Sequence, residues 1–405
     1  MPEAVIVAAT RSPIGRARKG SLASLRPDEL AAQTISAALD QLEGFDPRTT
    51  DDLQLGCAIP EGYQGGNLGR TVAIRLGLDT VPAATTTRFC ASSIETTRSA
   101  FHAIRAGEAK AIISAGVESI SMSTGKLMEE DARDPYFRSA WERTAARASR
   151  EIPAPWHDPR EDGQVPDAYI LMGQTAENVA ELRGVSRAAQ DEYAVRSQNR
   201  AEAAIGSGFY ARDITPITLP DGTVVSADDS PRAGVTLEAV SALEPVFRPG
   251  GTVTAGNCCP LNDGAAALVL MADDHARDLG LNPLARVVAT GVSGLSPEIM
   301  GLGPVEATRR ALKLAGMTMA DIDLVEFNEA FAAQVLPAAD DLGIDHDRLN
   351  VHGGAIALGH PWGSTGARMT TTLIHGLQER DGALGLATLC VGGGQGMALI
   401  IERMN

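Results

Sequence analysis

Short apolar runs alternate with stretches of helical periodicity, and the same order of elements occurs twice along the chain. Val5-Ile6-Val7-Ala8 opens the sequence and leads into a Pro/Gly turn. Pro27 then marks a helix start, with Asp28 and Glu29 in its first turn and Ala31, Ile35, Ala38 and Leu42 following at helical spacing. Leu53-Gln54-Leu55-Gly56-Cys57 reads as a strand. The turn TTTRFCASS leads into a helix with Ile94, Thr97, Phe101 and Ile104 on one face, and Ala111-Ile112-Ile113-Ser114-Ala115 is a strand ending at Gly116. Strands that are continuous apolar runs are buried on both faces, so the pattern predicts a sheet covered by helices on each side.

The C-terminal part repeats the order. Pro304 starts a helix that Gly316 stops. Next come a strand over Ile322-Asp323-Leu324-Val325, a helix beginning near NEAFA, and a helix after the Gly-rich turn GHPWGSTGAR. The strand Leu384 to Cys390 breaks at Gly392-Gly393-Gly394, and Met397 to Ile401 forms the last strand. DDLQLGCA thus corresponds to DIDLVEFNEA, and ISAGVES to ATLCVGGG. A duplicated α/β domain is expected, with residues 1–121, completed by about 247–273, as one half and 274–405 as the other. The intervening 122–246 differ in character: charge-rich helical text (LMEEDARDPYFRSAWERTAARASRE), a Pro-rich passage (IPAPWHDPREDGQVPD) and an amphipathic run from Gln174 to Ala204. Such an excursion on a rigid scaffold is expected to cover a site.

Composition narrows the function classes. Lys+Arg 35 against Asp+Glu 51 gives a net charge of −16, which argues against a general nucleic-acid binder and requires local basic groups for any polyanionic ligand. Five scattered cysteines suit a reducing cytoplasm, where thiols are buried or catalytic. The N-terminal apolar run is too short for a signal sequence, and no stretch approaches bilayer length, so a cytoplasmic protein is expected. Seven histidines and the five cysteines show no ligand-like spacing, so no metal is expected.

Four places suggest chemistry. Cys90 follows a strand and precedes a helix, where orphan N–H groups and the helix dipole are expected to lower a thiol pKa. His360 stands in the glycine-dense run NVHGGAIALGHPWGSTGAR, which implies close approach of backbone to the other half or to a ligand. Cys390 ends an apolar strand, and the glycines after it leave N–H groups open for an oxyanion. Asn328, in NEAFA, stands at a strand-to-helix junction, where a helix N-cap and a chemical role are both open.

Together with VIVAATRSPIG, RFCAS, AGVES, MGQTAENVA, TVTAGNCCPLNDGAAA, FNEAFA, GGAIALGHP and LCVGGGQG, these places resemble the thiolase family along essentially the whole chain. The resemblance implies duplicated αβα domains packed as a five-layer αβαβα core with an inserted loop domain. It implies ping-pong acyl transfer, in which Cys90 attacks a 3-ketoacyl-CoA, His360 polarises or deprotonates its thiol, and Cys390 is the acid and base for the departing acetyl-CoA carbanion. The N–H groups of Cys90 and Gly392 are expected to form one oxyanion site, and Asn328, through a water, with His360 the other. Coenzyme A is implied as substrate, with no covalently bound cofactor. Arg232 is expected near its adenine end, and Met172, Phe247, Ala255, Cys259, Ala330 and Phe331 along its channel. A homodimer or homotetramer is implied.

The chain departs from the family pattern at Thr87, Ser93, Cys259-Pro260, His352 and Trp362, and the segment before Met172 is long. These changes are expected to cluster around the substrate channel and to shift specificity from acetoacetyl toward longer or branched chains. Two alternatives differ in chemistry: a decarboxylating ketoacyl synthase, which lacks a second catalytic cysteine, and an inactive thiolase-like lipid carrier or partner protein.

Overall fold

The protein is described here from a computed structural model covering residues 1–123, 125, 130–150 and 155–405. Parts of the charge-rich and Pro-rich text before Met172 therefore lie outside the described residues. Nine principal strands form one hydrogen-bonded array: β1 (Ala4–Arg11), β2 (Asp52–Gly56), β3 (Ala83–Thr86), β4 (Ala111–Ser119), β5 (Asn262–Ala272), β6 (Ala285–Gly294), β7 (Leu324–Phe327), β8 (Leu384–Val391) and β9 (Gln395–Arg403). Their order is β7-β8-β9-β6-β1-β5-β4-β2-β3. The join between β1 and β6 is narrow, limited to the pairs Val5 with Arg286 and Ile6 with Ala285.

Either side of that join, the order and direction of strands repeat. In the first part β3 and β4 flank β2 in parallel, β4 runs antiparallel to β5, and β5 antiparallel to β1. In the second, Leu349 bridges in parallel to β7, β7 is parallel to β8, β8 antiparallel to β9, and β9 antiparallel to β6. DDLQLGCA and DIDLVEFNEA occupy equivalent strands, as do ISAGVES and ATLCVGGG. The second strand starts at Leu324 rather than Ile322, because the Asp323 carboxylate instead accepts from the N–H groups of Ala383 and Leu384.

Side-chain alternation along these strands builds the layers. Val5, Val7, Val269 and Met271 face outward onto Leu30 and Ile35 of α1 (Pro27–Leu39). Ile6, Leu268 and Leu270 face inward onto α3 (Ser92–Ala106) and α8 (Thr365–Arg380), meeting Ile94, Ile104, Leu373 and Leu377; α2 (Leu68–Arg75) lies with α1. From the second sheet, Met397, Leu399 and Ile401 face the same central helices. Ala398 and Ile400 face α6 (Gly303–Ala315) and α7 (Ala332–Leu342) on the far side. The result is five layers, αβαβα. The inward rows are fully buried, at about 1.5–3 kcal/mol for each large aliphatic side chain removed from water, so the central helices hold the halves together.

The run from Gln174 to Ala204 is two helices, α4 (Met172–Arg183) and α5 (Arg187–Gly206). Gly184, at φ +65°, ends the first, and the Ser186 side chain caps the second by accepting from the Ala189 N–H. Glu329 of the NEAFA loop fastens α5 to the second half: its carboxylate accepts from Tyr193 Oη at 2.9 Å, Ser197 Oγ at 2.6 Å, Asn350 Nδ2 at 2.8 Å and the Ile356 N–H at 3.1 Å.

The glycines around His360 serve contact between the halves, the first of the two options their density allowed. A Cβ on Gly363 would stand 2.4 Å from the Val117 carbonyl oxygen, and one on Gly116 would stand 2.2 Å from the Gly363 carbonyl oxygen. Both obstacles are backbone and cannot rotate away. Replacement Gly116→Ala is therefore expected to destabilise the protein by about 2 kcal/mol, read as a lower urea midpoint with an unchanged slope; an unchanged midpoint would show that the loop has room to retreat.

Candidate active site

Cys90 sits where β3 has just ended and α3 is about to begin, in the single turn Phe89–Ala91. Phe89 is forced to φ +42°, a region costly for a bulky residue. Ser92 secures that turn, its Oγ accepting from the Arg88 N–H at 3.0 Å and donating to the Phe89 carbonyl at 2.6 Å. The backbone N–H groups of Gly392 and of Cys90 itself favour the Cys90 thiolate, though less than burial opposes it. A Cβ on Gly392 would lie 3.5 Å from the Phe89 ring and 3.8 Å from Met172 Sδ, so the glycine turn after β8 faces the turn that carries Cys90.

Cys390, fully buried near the end of β8, is close enough to Cys90 that Cys90 disfavours its ionisation. Asn328 follows β7, its N–H donating to the Thr388 carbonyl at 3.0 Å on the strand that carries Cys390. It does not cap a helix: α7 begins only at Ala332, and no side chain caps it. Extended backbone at Phe331 delays the helix and leaves the Asn328 side chain pointing at His360, with Nδ2 3.2 Å from Nε2 and Oδ1 buried without a partner. Gln334 Nε2 steadies this residue by donating to its carbonyl at 3.2 Å.

His360 is buried and held at three points. Its N–H donates to Asn262 Oδ1 at 3.1 Å, Nδ1 lies 2.7 Å from Thr365 Oγ1, and Nε2 meets Asn328. Gly359, at φ +111°, permits the approach, since a Cβ there would lie 2.5 Å from Asn262 Cγ. Asn262 and Thr365 were not singled out in the sequence, although both lie inside motifs that were. Glu118, in AGVES, was also missed. Its carboxylate accepts from the N–H groups of Ala58 at 2.8 Å and Gly363 at 2.8 Å and from Gln64 Nε2 at 3.0 Å, tying the His360 loop to the first half.

Electrostatically, burial favours the neutral forms of His360 and the cysteines. Burial pulls His360 down to about 3, assisted by the Arg368 charge, and pushes Cys90 up to about 12, against the Gly392 N–H. The lowered thiol pKa expected from the helix N-terminus does not emerge, because desolvation outweighs the helix-end N–H groups. Cys390 and Cys259 are also raised, first by burial and then by neighbouring thiols. Burial brings Glu118 up to about 7 despite its donors.

The remaining site residues fall into two groups. Met172, Phe247, Cys259, Ala330 and Phe331 pack with Cys390 in one apolar cluster, the Phe247 and Phe331 rings edge-to-face at 6.0 Å. Arg232 and Ala255 line a cavity of about 410 Å³ with Arg16, Ser230 and Pro260. Pro260 joins that cavity to the cluster through Cys259, whose N–H donates to the Ala330 carbonyl at 3.0 Å. Not every departure lies here. Ser93 is buried between the central helices, its Oγ accepting from the Ala367 N–H at 3.0 Å. His352 stacks on Phe209 at 3.6 Å and bonds to Glu379 at 2.6 Å. Both pack inside the scaffold, so the expected clustering of departures around the channel fails at these positions.

Comparison with known proteins fits this arrangement. The family described as "Thiolase, N-terminal domain" matches residues 4–274, and "Thiolase, C-terminal domain" matches 281–403. An acetyl-CoA acetyltransferase of Escherichia coli (strain K12) is 43% identical, with 100% of both chains covered. A 3-ketoacyl-CoA thiolase of Bacillus subtilis (strain 168) is 40% identical over 99% of this chain and 100% of its own. The crystal structure of human mitochondrial 3-ketoacyl-CoA thiolase in complex with CoA superposes with a TM-score of 0.85 at 34% identity, covering 100% of this chain and 98% of that one.

A thiol held protonated at neutral pH gains reactivity as pH rises. The rate of Cys90 alkylation by iodoacetamide, followed by peptide mapping, is expected to climb steadily from pH 7 and to show no plateau below about pH 9; a plateau near pH 7 would contradict the dominance of burial.

Proposed function

Since the chain belongs to the thiolase family, an acyltransferase family with CoA thioesters as substrates, we propose that Cys90 is its nucleophile and that the reaction proceeds by ping-pong acyl transfer. Cys90 Sγ adds to the 3-keto carbonyl as its proton passes to His360 Nε2. The N–H groups of Cys90 and Gly392 receive the resulting oxyanion. The C2–C3 bond then breaks, its electron pair leaving as the acetyl-CoA enolate, and Cys390 supplies the proton that turns this into acetyl-CoA. His360 and Asn328 face the enolate oxygen. In the second half, CoA thiol gives its proton to Cys390 and attacks the acyl group on Cys90; shortened acyl-CoA is released as the Cys90 sulfur leaves and takes back the proton held on His360 Nε2. Read backwards, the same groups carry out Claisen condensation.

The observations that carry this reading are the closeness of Cys90 and Cys390, which come from different halves, and the contact of His360 with Asn328, whose N–H bonds to the strand that carries Cys390. A neutral resting site supports it further: an uncharged imidazole is free to take a proton, and an uncharged Cys390 has one to give. A decarboxylating synthase has no use for the second thiol.

CoA fits the two groups of site residues. Its phosphates are assigned to the mouth of the cavity, where Arg16 and Arg232 supply the positive charge that a chain of net −16 otherwise lacks. Neither guanidinium has a carboxylate partner among the described residues. The pantetheine is assigned past Ala255, Pro260 and Cys259, and the acyl chain to the wall of Met172, Phe247 and Phe331. A thiol at 259 and a proline at 260 offer the pantetheine amides little hydrogen bonding, while the apolar wall suits longer or branched chains, as in the thiolytic step of fatty-acid β-oxidation. In this reading residues 122–246 are the inserted domain over the site, with 1–121 plus 247–273 and then 274–405 as the halves. Edge strand β3, paired on one side only, suits antiparallel pairing with a second copy in a homodimer or a tetramer built from dimers. No helix among the described residues is long and apolar enough to cross a membrane, and the free thiols suit a cytoplasmic site of action.

Two measurements test the reading. CoA-dependent loss of 3-ketoacyl-CoA enolate absorbance is expected to be faster with an eight-carbon than with a four-carbon substrate and to vanish in Cys90→Ala; a strong four-carbon preference would reject the chain-length assignment. Arg232→Ala is expected to raise the KM for CoA about tenfold, the loss of one charge-assisted contact, with kcat nearly unchanged. An unaltered KM would move the phosphates elsewhere.

A further inference from the structure

We propose that Thr365 is a positioning residue for acyl transfer: its hydroxyl holds His360 in the tautomer with hydrogen on Nδ1, leaving Nε2 bare toward Asn328 and the reacting thiol. The inference rests on the reading that Cys90 is the nucleophile, but its geometry stands apart from any substrate.

Thr365 Oγ1 lies 2.9 Å from the Pro361 carbonyl oxygen and 2.7 Å from His360 Nδ1. A hydroxyl carries one hydrogen, and a carbonyl can only accept. With that hydrogen directed to Pro361, the oxygen offers Nδ1 a lone pair, and an attractive contact at this distance requires the hydrogen to be on Nδ1. The other side of the ring agrees independently. Nε2 lies 3.2 Å from the Asn328 amide nitrogen, itself a donor, so Nε2 is matched as an acceptor. With the Asn328 amide in this orientation, both contacts fit the same tautomer.

The holder is rigid. Thr365 is fully buried at the start of α8, and its own N–H donates to the Pro361 carbonyl at 3.0 Å. Its branched Cβ restricts χ1 and so fixes the position of the hydroxyl oxygen. His360 is anchored at its backbone by Asn262, so the ring has little freedom to exchange its nitrogens.

The reaction asks two things of Nε2 in turn: to accept the Cys90 proton, then to donate toward the enolate oxygen. A hydrogen fixed on Nδ1 permits both without ring rotation. Removing the hydroxyl would strand a buried Nδ1–H and shift the ring toward the tautomer with hydrogen on Nε2, which cannot take the thiol proton.

The test reads the ring directly. In protein labelled with 15N-histidine, with His360 assigned by its loss in His360→Asn, wild type is expected to show Nδ1 with the shift of a protonated nitrogen and Nε2 with that of a bare one at neutral pH. Thr365→Val is expected to move both shifts toward the other tautomer. It should also lower kcat about 100-fold, the upper range for outer contacts that orient a reacting histidine, with KM within about threefold. Thr365→Ser, which restores the hydroxyl, is expected to recover the wild-type shifts and most of kcat. Hydrogen on Nε2 in wild type would overturn the proposal even if the valine variant failed to fold. So would unchanged shifts in Thr365→Val, or no rescue by serine. A correct tautomer in a protein that never acylates Cys90 would instead remove the reading of the nucleophile and leave the tautomer assignment standing.

Discussion

The approach of one glycine-lined loop to the opposite half of the molecule sets everything else. Gly359 to Gly363 brings backbone against backbone at Val117 and Gly56, and a methyl group at Gly363 would not fit. Because of that approach, the loop that carries His360 lies against the half that carries Cys90. Glu118 fastens the contact by accepting the Gly363 N–H at 2.8 Å, and Asn262 fastens His360 from the other direction at 3.1 Å. The two central helices begin just after Cys90 and His360, so the helices that join the halves also aim the reactive groups. Stability and chemistry share one set of contacts.

Burial explains how a site with two thiols and one imidazole stays orderly. In water a histidine would be partly protonated near neutrality and would pair with a thiolate. Here desolvation drives both toward their neutral forms, and nearby donors such as the Gly392 N–H offset this only in part. In the proposed reaction, charge is created only when a substrate accepts the nucleophile, at the position assigned to the Cys90 and Gly392 N–H groups. The two thiols differ in place: the Cys90 residue keeps some exposure at the turn beside Phe89 although its thiol is desolvated, whereas Cys390 is sealed within its strand.

Much of this was legible in the sequence because it depends on local pattern. Continuous apolar strands demanded two covered faces, and the repeated order of elements revealed two halves. Glycine density at 353–366 foretold close packing. What escaped were features decided by neighbours distant in sequence. Whether Asn328 caps a helix is open in the sequence because the delayed start of α7 depends on Cys258 bridging to Phe331 and on the Ala332 N–H donating to Asn257. The Cys90 pKa was misjudged because helix-end effects are local and burial is not. Ser93 and His352 stood out as departures near motifs, yet they pack within the scaffold. Thr365, Asn262 and Glu118 lay in plain view inside motifs, but what each holds is visible only once the chain is folded.

The central claim is that one sulfur, and not its two neighbours, bears the acyl group. Digestion and mass spectrometry of protein quenched in acid after mixing with a 3-ketoacyl-CoA, in the absence of free CoA, tests this directly. The account predicts an acyl mass on the peptide carrying Cys90 and unmodified peptides carrying Cys258, Cys259 and Cys390. An acyl group first on Cys259 or Cys390, with Cys90 left free, would contradict it.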